Sequence, residues 1–295
     1  MQENKKFKNN VFTTLFDNPD LLRELYCALE GVSLPQDVPV SINTLENVLY
    51  MDYINDISFE IDGKLIVLIE HQSTINPNMA LRFLLYITRI LEKRIKSETL
   101  YSKQQVSIPW PEFFVLYNGL EPFADNATLK LSELFLNPKT LNLPEKSHPL
   151  LELEVKVINI TEGRNQAILN RCKKLAEYSA FIAKIHAFWI EQENLKEAVK
   201  SAIKYCSKHD ILKEYLEIHG SEILNMILEE WNTEDAIAYA RKEGREMGLE
   251  EGCKKGHKEV IDLLSQGLSV EDVKLRLMQS SDNNKSRLRK SLSGS

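Results

Sequence analysis

The spacing of apolar and polar residues changes several times along the chain, and each change marks an element. In "NDISFEIDGKLIVLIEHQST", residues 55 to 74, two β-prone runs, Ile57 to Ile61 and Lys64 to Ile69, flank Asp62-Gly63. An Asp-Gly step between such runs predicts a tight hairpin. The second run, "LIVLI", is apolar on both faces, as a central buried strand requires. Upstream, residues 5 to 30 predict a helix in two pieces, the second capped by Asp17 or Asn18, with Pro19 at its first turn and Gly31 at its end. The proline-marked "VSLPQDVPVS" reads as a connection and "NVLYMDY" as a strand, giving three strands by residue 70.

Downstream, Met79, Phe83, Tyr86, Ile87 and Ile90 recur at helical spacing in "NPNMALRFLLYITRILEKRIKS". Pro77 stands near the start of this helix, and Ser73 or Thr74 is placed to cap it. "EFFVLYNG" is a strand ended by Asn118-Gly119. "TLKLSELFL", residues 128 to 136, and "NPKTLNLPEKSHP" read as irregular surface, whereas "LELEVKVINI" alternates as a half-exposed strand. From Arg164 to about Trp231 the pattern is helical, with His186, Phe188 and Trp189 as core filling and His209 and His219 as ordinary helix residues. Gly244, Gly248, Gly252 and Gly256 then recur every fourth residue in a charged helix. Glycines on one helical line allow a second helix to approach closely, which admits a homo-oligomer through the C-terminal helices; a low-complexity, solvated helix gives the same pattern. Ser269 caps a last short helix, and the basic end "NNKSRLRKSLSGS" reads as disordered.

Composition narrows the class. A chain of 295 residues with 43% hydrophobic and 27% charged residues is that of an ordinary globular protein. No apolar run approaches a membrane span, and "MQENKKFKNN" leads into no signal-like core. Cys27, Cys172, Cys206 and Cys253 have no C-x-x-C spacing, the usage of a reducing cytoplasm rather than of a disulfide frame or zinc site. The formal net charge of −6 opposes broad, non-specific nucleic-acid binding and leaves room for a local basic groove.

Chemistry gathers at the hairpin's ends. Side chains alternate along a strand, so Glu70 and Gln72 share one face while His71 points to the other. A tight turn at Asp62-Gly63 folds Asp56 back beside position 69 or 70. Mg²⁺ is held by one or two carboxylates, with waters and phosphate oxygens completing its octahedron. Asp56 and Glu70 fit that ligand role. Gln72 fits the role of orienting a water or a phosphate oxygen, and the backbone carbonyl of His71 that of a further ligand. As spacing alone, D-x13-E-x-Q is also met by ordinary carboxylates at strand ends. No Ser-His-Asp or Cys-His order, nucleotide loop or dinucleotide fingerprint accompanies it.

The run "EHQST" followed by "NPNMALRFLLY", with "NDISFEIDGKLIVLIE" before it and "FFVLYNG" after it, resembles the recombination-promoting nuclease (Rpn-like, transposase-like) family of the PD-(D/E)XK superfamily. The resemblance covers roughly residues 7 to 160 by specific motifs and the rest by style. It implies a mixed α/β fold: a restriction-endonuclease-like core over residues 1–160 with a central mixed sheet flanked by helices. A helical region (161–232), a charged glycine-repeat segment with a short terminal helix (233–278) and a basic tail (279–295) follow. It further implies a Mg²⁺- or Mn²⁺-dependent DNA endonuclease, with Asp56 and Glu70 as metal ligands. Gln72 stands where the superfamily usually has lysine, so a charge that would stabilise the phosphorane is missing. That departure motivates the alternative of a nuclease-fold protein acting in DNA binding or self-assembly. Arg82 and Tyr86 share a helix face one turn apart. Arg82 is the candidate phosphate clamp, because its guanidinium fork matches phosphate geometry. Glu24 is a candidate extra acidic residue.

Overall fold

The computed structural model describes residues 10–43, 56–136, 148–228 and 231. The chain divides into two units, Met1–Trp231 and Asn232–Ser295. The glycine-repeat segment, the Ser269 cap, the basic tail, the "NVLYMDY" strand and most of "NPKTLNLPEKSHP" lie outside the described residues.

The first unit opens with two helices, α1 (Val11–Leu15) and α2 (Pro19–Glu30). Asn18 caps α2 by accepting from the backbone N–H groups of Asp20 and Leu21, Pro19 fills the first turn, and Gly31 closes the helix in the left-handed region at φ +70°. Each terminus thus uses the residue type its geometry favours.

Among the described residues the sheet is mixed and six-stranded, in the order β1-β2-β3-β4-β6-β5. Its members are β1 (Val40–Ile42), β2 (Ile57–Ile61), β3 (Leu65–Gln72), β4 (Trp110–Tyr117), β5 (Asn126–Lys130) and β6 (Glu154–Asn159). β2 and β3 form the expected hairpin, with Ile57 opposite Ile69 and Ile61 opposite Leu65. Asp62 and Gly63 both have positive φ, +50° and +61°, as a turn whose twist matches the strands requires. β3 runs three residues beyond the predicted end, so Glu70, His71 and Gln72 belong to the strand itself. It pairs in parallel with β4, and β4 in parallel with β6.

Two expectations are corrected. The "VSLPQDVPVS" connection contains β1, which pairs antiparallel with β2; three residues are too few to display a period. Residues 128–136 are not irregular, because β5 pairs antiparallel with β6 and a 3-10 turn, Leu131–Leu134, follows it. β5 alternates exposed and half-buried positions, so its apolar signal is weak. The alternating segment predicted before Thr161 does form a strand, β6.

Helices cover both faces. On one lies α3 (Met79–Arg94), whose Met79, Phe83, Tyr86, Ile87 and Ile90 pack on Ile66, Leu68, Phe113, Val115, Val155 and Val157. Its N-cap is Asn78, not Ser73 or Thr74. A short helix, α4 (Ser97–Leu100), follows. On the opposite face α1 and α2 join α5 (Gln166–Leu169), α6 (Lys173–Gln192), α7 (Leu195–Lys208) and α8 (213–228) over Phe59, Val67, Ile69, Phe114 and Leu116. His186 and Trp189 on α6 meet the ring of Trp231 at 4.9 and 5.4 Å, the core-filling role their spacing predicts. No helix among the described residues is long and apolar enough to cross a membrane.

Candidate active site

β3 carries its polar residues at its carboxyl end, beside the carboxyl ends of β4 and β6. In open α/β sheets that is where ligands bind. Burial there is high: Glu70, His71 and Gln72 are all buried within the sheet. Strand alternation sends Glu70 and Gln72 toward α3 and His71 toward α1 and α6.

The register that pairs Ile57 with Ile69 sets Asp56 opposite Glu70. Asp56 accepts the backbone N–H of His71 at 2.8 Å through Oδ2. Its Oδ1 accepts from Asn10 Nδ2 at 3.4 Å. Asn10 is also the N-cap of α1, where its side-chain oxygen accepts from the N–H of Thr13 at 2.8 Å. One amide therefore fixes the start of α1 and a carboxylate at the sheet's end together.

The Glu70 side chain is 1% exposed, and its Oε2 meets Arg82 Nη2 at 3.0 Å. Arg82 extends from the first turn of α3 and donates to Tyr86 Oη from Nε at 3.1 Å and from Nη2 at 2.9 Å. Its Nη1 reaches Met79 Sδ at 3.4 Å, the same sulfur that accepts from Gln72 Nε2 at 2.8 Å. Burial pulls the Arg82 guanidinium downward in pKa, but Glu70, the Tyr86 oxygen and Asp56 outweigh it and the net shift is upward. The Tyr86 phenol is raised by burial first and then by the Glu70 charge, with a smaller push from Asp56. Both carboxylates thus act on the same guanidinium and the same phenol, which brings Asp56, Glu70, Arg82 and Tyr86 into one electrostatic neighbourhood.

The side chain of His71 belongs to the core. Its Nε2 lies 3.2 Å from Tyr178 Oη, and its ring stacks on Phe12 at 5.3 Å. These contacts seat α1 and α6 on the sheet. Glu24, on α2, is engaged away from the carboxylate pair: its Oε1 accepts the N–H of Lys173 at 3.0 Å at the start of α6, and it hydrogen-bonds the Cys172 thiol. An acceptor at a helix N-terminus satisfies otherwise orphaned N–H groups, so the carboxylate of Glu24 serves as a helix anchor.

Asn10 and Met79 join the site without having been singled out from sequence. Asn10 lies 46 residues from Asp56, and its one legible signal was the cap position before α1. Met79 stood in the apolar stripe of α3, where nothing distinguishes a core sulfur from one that accepts hydrogen bonds.

Among the described residues no group of three or more His, Cys, Asp or Glu gathers as a metal cage. The described residues offer two carboxylates there, Asp56 and Glu70. That donor set suits a hard cation which retains its waters, and it does not suit a closed zinc site. Glu70 already attracts a cation, because the Arg82 guanidinium lies against it. The residues present therefore fit a divalent ion of the Mg²⁺ type.

The fold and the site together define a mixed α/β protein with a buried carboxylate–arginine–tyrosine centre at the ends of its parallel strands. A family model described as "Putative transposase, YhgA-like" matches residues 19–205. This is more than half of the chain, and the protein belongs to that family, in agreement with the resemblance carried by residues 55–119. The match also extends past residue 160 through α6 and into α7, so α6, which meets His71 through Tyr178, is part of the family's unit. Comparisons with curated proteins and with solved structures return no match.

Proposed function

We propose that the protein is a Mg²⁺- or Mn²⁺-dependent DNA endonuclease on a PD-(D/E)XK core, linked to recombination or mobile DNA. One observation carries the reading: the hairpin register sets Asp56 opposite Glu70 at the strand ends, where Asp56 accepts the His71 N–H and Glu70 pairs with Arg82. Membership of a transposase-like family directs that acidic centre toward DNA.

In this reading Asp56 and Glu70 hold the ion. When bound, it supplies a water of lowered pKa and neutralises charge on the scissile phosphate. Asn10 and the His71 N–H keep the Asp56 carboxylate in one orientation. Gln72, anchored through its amide nitrogen on Met79, keeps its amide oxygen as an acceptor that orients a water. Tyr86 holds Arg82 at Glu70 in the metal-free protein, where its charge offsets the buried carboxylate.

The test is the nicking of supercoiled plasmid with and without Mg²⁺ or Mn²⁺, alongside Asp56→Ala and Glu70→Ala. The reading predicts metal-dependent nicking lost by about two orders of magnitude or more in both variants, the scale of losing a main electrostatic contributor. Equal nicking by both variants and wild type would overturn it.

A second reading is favoured by one specific feature. Glu70 is already neutralised by Arg82, and Gln72 replaces the usual lysine. A protein that binds DNA or self-assembles without cutting uses such a centre as structure. DNA retention with no cleavage under any divalent ion selects this reading, and light scattering separates binding from assembly.

A further inference from the structure

We infer that Arg82 is an exchangeable counter-ion for Glu70, a positioning residue that holds the carboxylate until a divalent cation takes its place. This inference rests on the reading of Asp56 and Glu70 as a metal site. Three observations carry it beyond that reading.

First, the guanidinium occupies an oxygen of the Glu70 carboxylate. Its Nη2 is 3.0 Å from Glu70 Oε2, and Glu70 and Asp56 both stabilise its charge. A buried carboxylate stripped of its partner is costly, so the metal-free protein needs an internal cation here. Second, a divalent ion at the same carboxylates would face a positive charge within a few ångströms. Like charges at that distance repel strongly where water is scarce, so the ion and the guanidinium compete for Glu70. Third, Arg82 has a second set of partners independent of Glu70. Tyr86 Oη accepts from two of its nitrogens and Met79 Sδ from a third. The Arg82 side chain also keeps 23% exposure while Glu70 has 1%. It can therefore leave the carboxylate by a rotation about its outer bonds without losing every hydrogen bond or its path to solvent.

The consequence concerns affinity. The metal-free protein stores its charge balance in an intramolecular ion pair, and metal binding must break it. A phosphate near the guanidinium gives the displaced charge a partner, which makes the divalent ion and a phosphate-bearing ligand mutually reinforcing. Such coupling typically spans about 5- to 150-fold in affinity.

Calorimetric titration of Mn²⁺ and Mg²⁺ into the DNA-free protein tests this without any cleavage readout. The variants are Arg82→Met, Arg82→Gln and Arg82→Lys, with Glu70→Gln as the control. Removing the charge in Arg82→Met and Arg82→Gln is expected to tighten metal binding on the order of tenfold, and Arg82→Lys to stay near wild type. Arg82→Gln keeps donors for Tyr86 and Met79, so it serves if the methionine variant does not fold. A thermal-melt series adds a second readout, with Mn²⁺ raising the melting temperature more in the neutral variants than in wild type. Binding by wild type that is unchanged or weakened in both neutral variants overturns the counter-ion role and leaves the metal site standing. Binding by the neutral variants alone supports the role in its strongest form. Absence of binding to every form overturns the metal site and the inference together.

Discussion

Arg82, on the first turn of α3, and Glu70, near the end of β3, form a 3.0 Å ion pair in which the carboxylate is 1% exposed. The pair ties the crossover helix to the central strand at the point where the chemistry is proposed. Losing one partner leaves a buried charge uncompensated, whereas losing both leaves none. Arg82→Met is therefore expected to lower stability by about 2–3 kcal/mol, less than for a fully buried pair because Arg82 keeps some solvent access. The Arg82→Met, Glu70→Gln double variant should recover part of that loss. A double-mutant cycle by urea denaturation measures the coupling, and additive losses would show the pair to be energetically idle.

Asn10 has two tasks that a single substitution separates. Serine at this position keeps an N-cap acceptor for α1 but cannot reach Asp56. Asn10→Ser should cost about 1 kcal/mol in stability through the lost hydrogen bond to Asp56 and lower plasmid nicking on the order of tenfold, as expected when a catalytic group is released from its orientation. Unchanged nicking would show that the Asp56 contact of Asn10 does not orient the carboxylate for cleavage.

Gly119 ends β4 next to Gln72, where the Asn118 N–H donates to the Gln72 carbonyl at 2.9 Å. A Cβ at position 119 would collide with the Ser73 carbonyl oxygen and with the Tyr117 ring and hydroxyl. Ser73 is backbone in the connection from β3 to α3 and cannot yield cheaply. Gly119→Ala should destabilise by about 3 kcal/mol and disturb nicking as well, because the displaced connection leads directly to Met79 and Arg82. A thermal melt unchanged from wild type would contradict the close approach.

His186 sets an acid limit. Burial against Trp231 pushes its pKa from 6.5 down to about 4. The unfolded chain therefore binds more protons at this residue between pH 6.5 and 4 than the folded one. By linkage, stability falls as pH falls through that window and is fully retained above it. The decline due to His186 should total about 2–3 kcal/mol. Denaturation midpoints from pH 7 to 4 should fall less steeply in His186→Phe than in wild type, and identical slopes would refute the assignment.

The legible parts of the fold were those with dense local signals. Asp62-Gly63 fixed the hairpin, and the run of apolar residues after it fixed a central strand. The α2 caps were readable because Asn18, Pro19 and Gly31 each answer a local backbone need. β1 and β5 were missed because one has three residues and the other packs only half-buried positions against a single neighbour. At the site, the face shared by Glu70 and Gln72 follows from strand alternation alone. The partners of Asp56, Gln72 and Glu70 did not follow, because Asn10, Met79 and Arg82 reach them through tertiary packing. Glu24 shows the reverse case: an acidic residue suggestive by analogy is a helix anchor, which depends on where α6 begins.

The turn at Asp62-Gly63 precedes Leu65, which stands five residues before Glu70 on β3, on the order of 17 Å away at about 3.3 Å per residue. It nevertheless sets the phase of the acidic centre. One residue added between Ile57 and Ile69 would slip the pairing by a step and move Asp56 to the side of the sheet that holds His71. An extra codon in the gene is thus absorbed by most surface connections but not in this interval. Here it would separate the two carboxylates while leaving every atom of each intact.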